Sequence, residues 1–211
     1  TGVTWVGHLA DSPLSPVTLV YGGGVLTGTI VTPDGFFQIR PASEAARQAN
    51  PQPAGAMHEI TQVDQSAFAR EADPLDAVLD PEAVTAASDR IMADAGDVID
   101  VMVVYTPAAQ QHAGGAAAMA NLINLSVSET NTSYVNSDIT QRIRLVHTAQ
   151  VDYTEVSSFG TNLSSLRIGS GGGLAGVAPL RNQYGADLVA MLIHPTSPSA
   201  CGIAYVMTTV T

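Results

Sequence analysis

The chain has 211 residues, a formal net charge of −11 and no lysine, so its eight basic side chains are all arginine. Nucleic-acid binding is disfavoured, because no basic stripe exists to neutralise phosphates. The length suits one medium domain or two small ones with a real core, and no apolar run reaches the roughly 18 residues a membrane span needs.

The charge is unevenly split. Residues 1–97 hold 13 acids and four arginines, whereas residues 98–211 hold six acids and four arginines. The first part opens with strand-like runs over 5–9, 17–21, 25–32, 36–39 and 57–63, which predict an antiparallel β meander. Gly22-Gly23-Gly24 supplies positions free to take positive φ. Pro33-Asp34-Gly35 is a turn with a mechanism, since Pro fixes φ and Gly accepts the left-handed region. Acids and alanines then dominate from Asp64 to Asp97. Asp80-Pro81-Glu82 predicts a helix running to about Ala93, with Asp at the N-cap and Pro at the first helical position.

The second part starts with Val98-Ile99-Asp100-Val101-Met102-Val103-Val104-Tyr105, apolar except for Asp100 and stopped by Pro107. A run this short and apolar predicts a strand buried on both faces. Met119, Ile123, Val127, Thr130 and Tyr134 recur at spacings of four and three, the stripe of an amphipathic helix. Residues 141–151 alternate as a strand with one wet face. Short helices are predicted over 162–168 and 177–184, flanking a glycine run read as a flexible loop. Residues 186–193 predict a second central strand, 195–199 a turn and 203–206 a last short strand. Alternating β and α elements predict an α/β fold around a twisted sheet.

The sequence offers few sites for chemistry. The five histidines, at 8, 58, 112, 147 and 194, contain no pair at the spacing that sets two imidazoles on one helical face. His58-Glu59-Ile60-Thr61-Gln62 begins like a zinc-binding HExxH motif but ends in Gln62 on a strand. His147 and His194 read as structural. Gly171-Gly172-Gly173-Leu174-Ala175-Gly176 fits GxGxxG formally, yet it follows no strand and no acid lies where a ribose ligand should be. Cys201 is a lone thiol and reads as structural.

Several segments, in order, resemble the reprolysin-like (adamalysin-type) metzincin zinc endopeptidases of secreted bacterial proteins. They are Ile99-Asp100-Val101-Met102-Val103-Val104-Tyr105-Thr106-Pro107, Asn124-Leu125-Ser126-Val127-Ser128-Glu129-Thr130-Asn131, Arg144-Leu145-Val146-His147-Thr148, Leu180-Arg181-Asn182-Gln183-Tyr184-Gly185-Ala186-Asp187-Leu188-Val189 and Cys201-Gly202-Ile203-Ala204-Tyr205-Val206. Trp5-Val6-Gly7, Leu26-Thr27-Gly28-Thr29-Ile30 and Val63-Asp64-Gln65-Ser66-Ala67-Phe68 are similar to the propeptides of these enzymes.

The resemblance implies a mixed α/β chain with three parts. A small antiparallel β propeptide (1–68) and an acidic, partly helical connector (69–97) precede the N-terminal part of a catalytic domain (98–211) with a twisted mixed sheet and a long helix. It further implies a secreted or periplasmic endopeptidase precursor acting on peptides or proteins, with zinc in the full-length protein and a propeptide–catalytic domain contact within the chain. The family's zinc ligands and general base lie in HExxHxxGxxH. No residue here matches it, so no catalytic or metal-ligating residue is assigned, the motif is expected beyond residue 211, and the chain alone is expected to be inactive.

The substrate side does carry over. Gly202, Ile203, Ala204 and Tyr205 match the family's edge strand, which adds an extended peptide to its unpaired backbone. The other reading is an ordinary strand covered by the rest of the protein. Cys201 is expected to pair with a cysteine beyond residue 211. Latency through a propeptide ligand cannot use a thiolate, because residues 1–97 contain no Cys; His58, Glu59 and Asp64 are the candidates left. Activation is expected from a cut in the connector, with Arg70 and Arg90 as candidates. The rival from another class is a non-catalytic secreted binding or adhesion module on the same scaffold.

Overall fold

The computed structural model describes residues 2–49, 57–68, 73–76, 97–194 and 200–206. The helix expected from Asp80 and the cleavage candidates Arg70 and Arg90 lie outside the described residues.

Short apolar and β-branched runs punctuated by turn residues fold into an antiparallel meander. Its strands pair in chain order: β1 (Val3–Leu9), β2 (Ser12–Gly22), β3 (Val25–Thr32), β4 (Gly35–Pro41) and β5 (His58–Val63). Gly23 and Gly24 take φ of 59° and 77° in the tight β2–β3 turn, the conformation such hairpins require. Gly23 has a second reason to lack a side chain, since a Cβ there would lie 2.7 Å from that of Ala117. A helix that the sequence reading missed, α1 (Glu44–Ala49), follows β4. Ser43 starts it by accepting the Ala46 N–H at 3.2 Å, as an N-cap serine does.

The apolar run at 98 becomes β7 (Val98–Tyr105), the middle strand of a three-stranded sheet in the order β8-β7-β9. Its neighbours β8 (Arg142–Gln150) and β9 (Leu188–Leu192) both run parallel to it. Side-chain alternation along β7 feeds two separate cores. Val101 and Val103 pack with Ala109 and Ala113 of α2 (Pro107–Ala113) and with Met119 and Ile123 of α3 (Ala116–Asn136). Met102 and Val104 pack on the other face with Val151, Tyr153, Leu174, Val177 and Ala186. That second layer includes α4 (Phe159–Ile168), the 3₁₀ turn Gly172–Gly176 and α5 (Val177–Tyr184). The strand is buried on both faces, as its composition demanded.

Three expectations need correction. The run over 186–193 does not make a central strand: β9 flanks the sheet, and Leu188 is 56% exposed. Asp187, the polar interruption in that run, holds the strand in register, its carboxylate accepting the Asp100 N–H at 2.8 Å while its own N–H donates to the Asp100 carbonyl. The glycine run is not a free loop. Gly172 has φ 57°, and a Cβ on it would lie 2.3 Å from the Asp152 carbonyl oxygen, so the run is packed against the chain that leaves β8. Finally, α3 has a second buried face besides Met119 and Ile123.

That second face meets the N-terminal meander. Asn121 and Leu125 are 3% and 4% exposed, and the Asn121 amide donates to the carbonyls of Gly22 and Val25 at 3.2 and 2.8 Å. Farther along, the Thr29 hydroxyl donates to the Glu129 carboxylate. The long helix therefore lies between two sheets. A side chain that looks like a surface amide in sequence satisfies backbone acceptors at the end of β2 and the start of β3, where an unmet carbonyl would be costly.

Candidate functional site

The segment expected to bind an extended peptide is paired on one side with another segment of this chain. Of Gly202, Ile203, Ala204 and Tyr205, only Tyr205 lies within a strand, β10 (Tyr205–Val206); the other three lead into it. β10 is not hydrogen-bonded into the three-stranded sheet. It pairs in parallel with β6 (Leu75–Asp76), Leu75 opposite Tyr205 and Asp76 opposite Val206. The Leu75 N–H donates to the Ala204 carbonyl at 3.0 Å. Leu75 and Asp76 thus pair with backbone that was expected to receive a substrate. No apolar run marks β6 in sequence, because a two-residue strand owes its existence to its partner.

Beside β10 lies a cleft of about 430 Å³. Leu163, Leu166 and Arg167 line it from α4, Arg181 from α5, and Asp187 and Tyr205 from the strand side. The Arg167 guanidinium carbon sits 5.4 Å from the centre of the Tyr205 ring, within reach of a cation–π attraction. Arg181 donates from Nε to the Ala186 carbonyl at 3.0 Å. Its lining combines apolar side chains with two arginines and one aspartate.

The three latency candidates are each bonded within the N-terminal unit. His58 Nε2 accepts the Leu26 N–H at 2.8 Å. Glu59 accepts from the backbone N–H of Ser43 at 3.3 Å, beside the start of α1. Asp64 accepts from the Ser66 hydroxyl and N–H at 2.6 and 2.9 Å. These bonds from Ser66 hold the Asp64 carboxyl below the ordinary aspartate range.

A polar junction that the sequence reading missed sits where β7 and β9 end. Thr106 is fully buried; its hydroxyl caps α2 by accepting the Ala109 N–H and donates to Glu155 at 2.9 Å. The same Glu155 oxygen accepts the His194 N–H at 2.8 Å. The His194 ring stacks on His112 of α2, with centroids 3.7 Å apart and planes 10° from parallel. His147 stacks likewise on Tyr184, at 3.8 Å. Each residue is a lone polar position in sequence, and only the fold brings them together.

Desolvation, then His194, then Arg40 of β4 lower the His112 pKa from its ordinary 6.5. The folded chain therefore resists binding a proton that the unfolded chain accepts. Stability falls as pH drops from about 6.5 through the lower folded value, and is unaffected by this group above that window. We expect the melting temperature to decline between pH 7 and pH 5, and His112→Gln to flatten that part of the profile. An unchanged slope in the variant would remove His112 from the account.

Among the described residues no group of three or more His, Cys, Asp or Glu is placed to hold a metal ion. Cys201 is exposed and carries a free thiol.

A sequence profile described as metallo-peptidase family M12B, reprolysin-like, matches residues 95–210. The chain belongs to this family. The match begins just before β7, and β7, α3 and β10 all lie within it. Relatives agree. The chain is 32% identical over 199 residues to a peptidyl-Asp metalloendopeptidase of Stenotrophomonas maltophilia (strain R551-3), covering 92% of this chain and 44% of that one. A peptidyl-Asp metalloendopeptidase of Xanthomonas campestris pv. campestris is 30% identical over 201 residues, 91% of this chain and 43% of that one. One from Pseudomonas aeruginosa is 35% identical over 112 residues, 51% and 18% of the two chains. The chain thus spans less than half the length of these relatives. The alignments with the first two extend over most of residues 1–211, so they include much of the N-terminal part that the family profile leaves out.

Proposed function

We propose that this chain is part of the precursor of an exported, zinc-dependent endopeptidase that cleaves peptide bonds at aspartate. In this reading residues 1–68 are a propeptide, 69–97 a connector and 98–211 the first part of the catalytic domain. The full-length protein acts on peptide or protein substrates, in the periplasm or outside the cell. The observation that carries the reading is the β6–β10 pairing. A strand of a metallopeptidase-family domain already holds an extended segment of its own chain by backbone hydrogen bonds, the way a peptide is added to a sheet edge. The relatives' shared name supports the substrate class.

Zinc is the metal proposed for the full-length enzyme. When bound by three protein ligands with one open position, it supplies an activated water and polarises the scissile carbonyl. The described residues provide no such ligand set, so no chemical step falls to them; their part is to seat and orient the substrate backbone. His58, Glu59 and Asp64 stay candidates for a latency ligand, although each is bonded locally.

The test uses the full-length protein. It is expected to be latent as an intact chain, to cleave an aspartate-containing peptide once the N-terminal segment is separated, and to lose that activity to a zinc chelator with recovery on adding zinc. A processed, zinc-replete protein that leaves such peptides intact would sink the reading.

A further inference from the structure

We propose that the cavity between the N-terminal meander and α3 binds one free α-amino acid, with Arg40 taking its carboxylate and Glu129 its ammonium group. The site is separate from β10 and does not rest on the activity proposed above.

The cavity measures about 150 Å³ and is bounded by β3 and β4 on one side and α3 on the other. The chain itself leaves its polar wall unsatisfied. Thr27 lines the cavity and is 3% exposed, and its hydroxyl has no hydrogen-bond partner, a costly state for a buried hydroxyl unless a bound molecule meets it. Gln38 and Arg40 line the same space, and among the described residues neither side chain makes a hydrogen bond or an ion pair. Glu59 stands opposite Arg40 on β5 but is turned to Ser43, whose N–H it accepts at 3.3 Å. The group on which Arg40 does act is His112, whose protonation it opposes. Burial lowers the Arg40 pKa, the mark of a cation taken from water with no anion to compensate. Arg40 stays charged all the same.

Charge and spacing then select the ligand. Glu129 also lines the cavity, held there by the Thr29 hydroxyl, which donates to Oε1. Thr29 is opposite Gln38, and Arg40 lies two residues farther along β4 on the same face. Two residues of strand span about 7 Å, a separation that a carboxylate and an ammonium carried on one carbon can bridge by hydrogen bonds at each end. A lone anion would be repelled by Glu129 and a lone cation by Arg40, whereas a zwitterion satisfies both. The Thr27 hydroxyl and the Gln38 amide supply further donors for the carboxylate. Phe36, Leu122 and Leu125 line the rest, which suits a small, uncharged side chain. The volume exceeds the roughly 10–15 Å³ that one water needs and falls short of the roughly 300–1,000 Å³ of drug-sized sites, so one amino acid fits where a longer peptide does not. A ligand held by β4 and α3 together binds only while they are in contact, and so stabilises that contact.

The test is equilibrium dialysis of the intact full-length protein against radiolabelled alanine. Saturation at one equivalent per chain is expected, with acetate and methylammonium, each carrying half of the charge pattern, competing more weakly than unlabelled alanine by about tenfold or more. Arg40→Gln and Glu129→Gln should each weaken alanine binding by about tenfold or more, the scale for removing one partner of a desolvated charge pair. Thr27→Val should weaken it about threefold to tenfold while keeping or raising the melting temperature, because it also removes an unmet hydroxyl from the unliganded protein. That variant reports on the site even if the charge variants fold poorly. The absence of saturable binding at millimolar alanine overturns the proposal and makes the cavity a site for water only. Acetate competing as well as alanine overturns it in favour of a simple anion site. Alanine binding that is unaltered in Thr27→Val and Arg40→Gln places the ligand elsewhere and overturns it too.

Discussion

Under the proposed function, Leu75→Pro is expected to make the intact full-length protein more active before any processing, by about fivefold to tenfold. The substitution removes the N–H that donates to the Ala204 carbonyl at 3.0 Å. Proline also constrains the φ of a residue that now pairs as a strand. A net loss of about 1–1.4 kcal/mol for one backbone bond and its pairing sets the size of the effect. The substitution lies outside both hydrophobic cores, and Leu75 is 39% exposed, so the fold should survive it. Peptide hydrolysis by the uncut precursor, checked by intact mass, is the measurement. Should activity stay at the parent's level, the β6–β10 pairing would not be what keeps the precursor latent. The weight would then pass to His58, Glu59 and Asp64.

Met102→Ala is expected to cost about 2–5 kcal/mol of unfolding free energy, the range for truncating a long side chain in a packed core. Met102 is fully buried, sits on the middle strand of its sheet, and contacts a layer built from α5, the glycine-rich turn and the chain after β8. The two chain segments in that layer are fixed by backbone close approaches, as at Gly172, and cannot collapse into the cavity. Urea unfolding followed by fluorescence and circular dichroism would report the loss. A change below about 1 kcal/mol would mean that this face relaxes far more than its packing suggests.

Much of the architecture could be read from side-chain periodicity. The meander, the doubly buried β7 and the Met119–Ile123 stripe of α3 each follow from local pattern, and local pattern determines them. What escaped was set by partners distant in sequence. Asn121 looks like a surface residue until two carbonyls of the β2–β3 hairpin are placed against it. β9 has the composition of a central strand, but composition cannot say which neighbours a strand will find. β6 is two residues in an acidic stretch with no apolar signature, and its strand character comes from β10. The candidate peptide-binding segment was legible as a region, through resemblance, yet its occupant was not. The Thr106–Glu155–His194 junction joins residues 49 and 39 positions apart, so no spacing rule could have revealed it.

Among the described residues, the N-terminal segment is bonded to the rest of the chain at two places: through Asn121 and Glu129 on α3, and through Leu75 on β10. Both anchors precede residue 77. A single scission anywhere in 77–96 therefore leaves them on one polypeptide, and the severed piece stays bound bivalently. While the meander remains docked, β6 faces β10 at an effective concentration on the order of millimolar, the value for a short tether. Competing peptide must outrun that rebinding. Under the proposed function, the appearance of activity would lag behind the cut, the lag would be insensitive to dilution because the rebinding is intramolecular, and a second break in 64–74, which separates the two anchors, would shorten it.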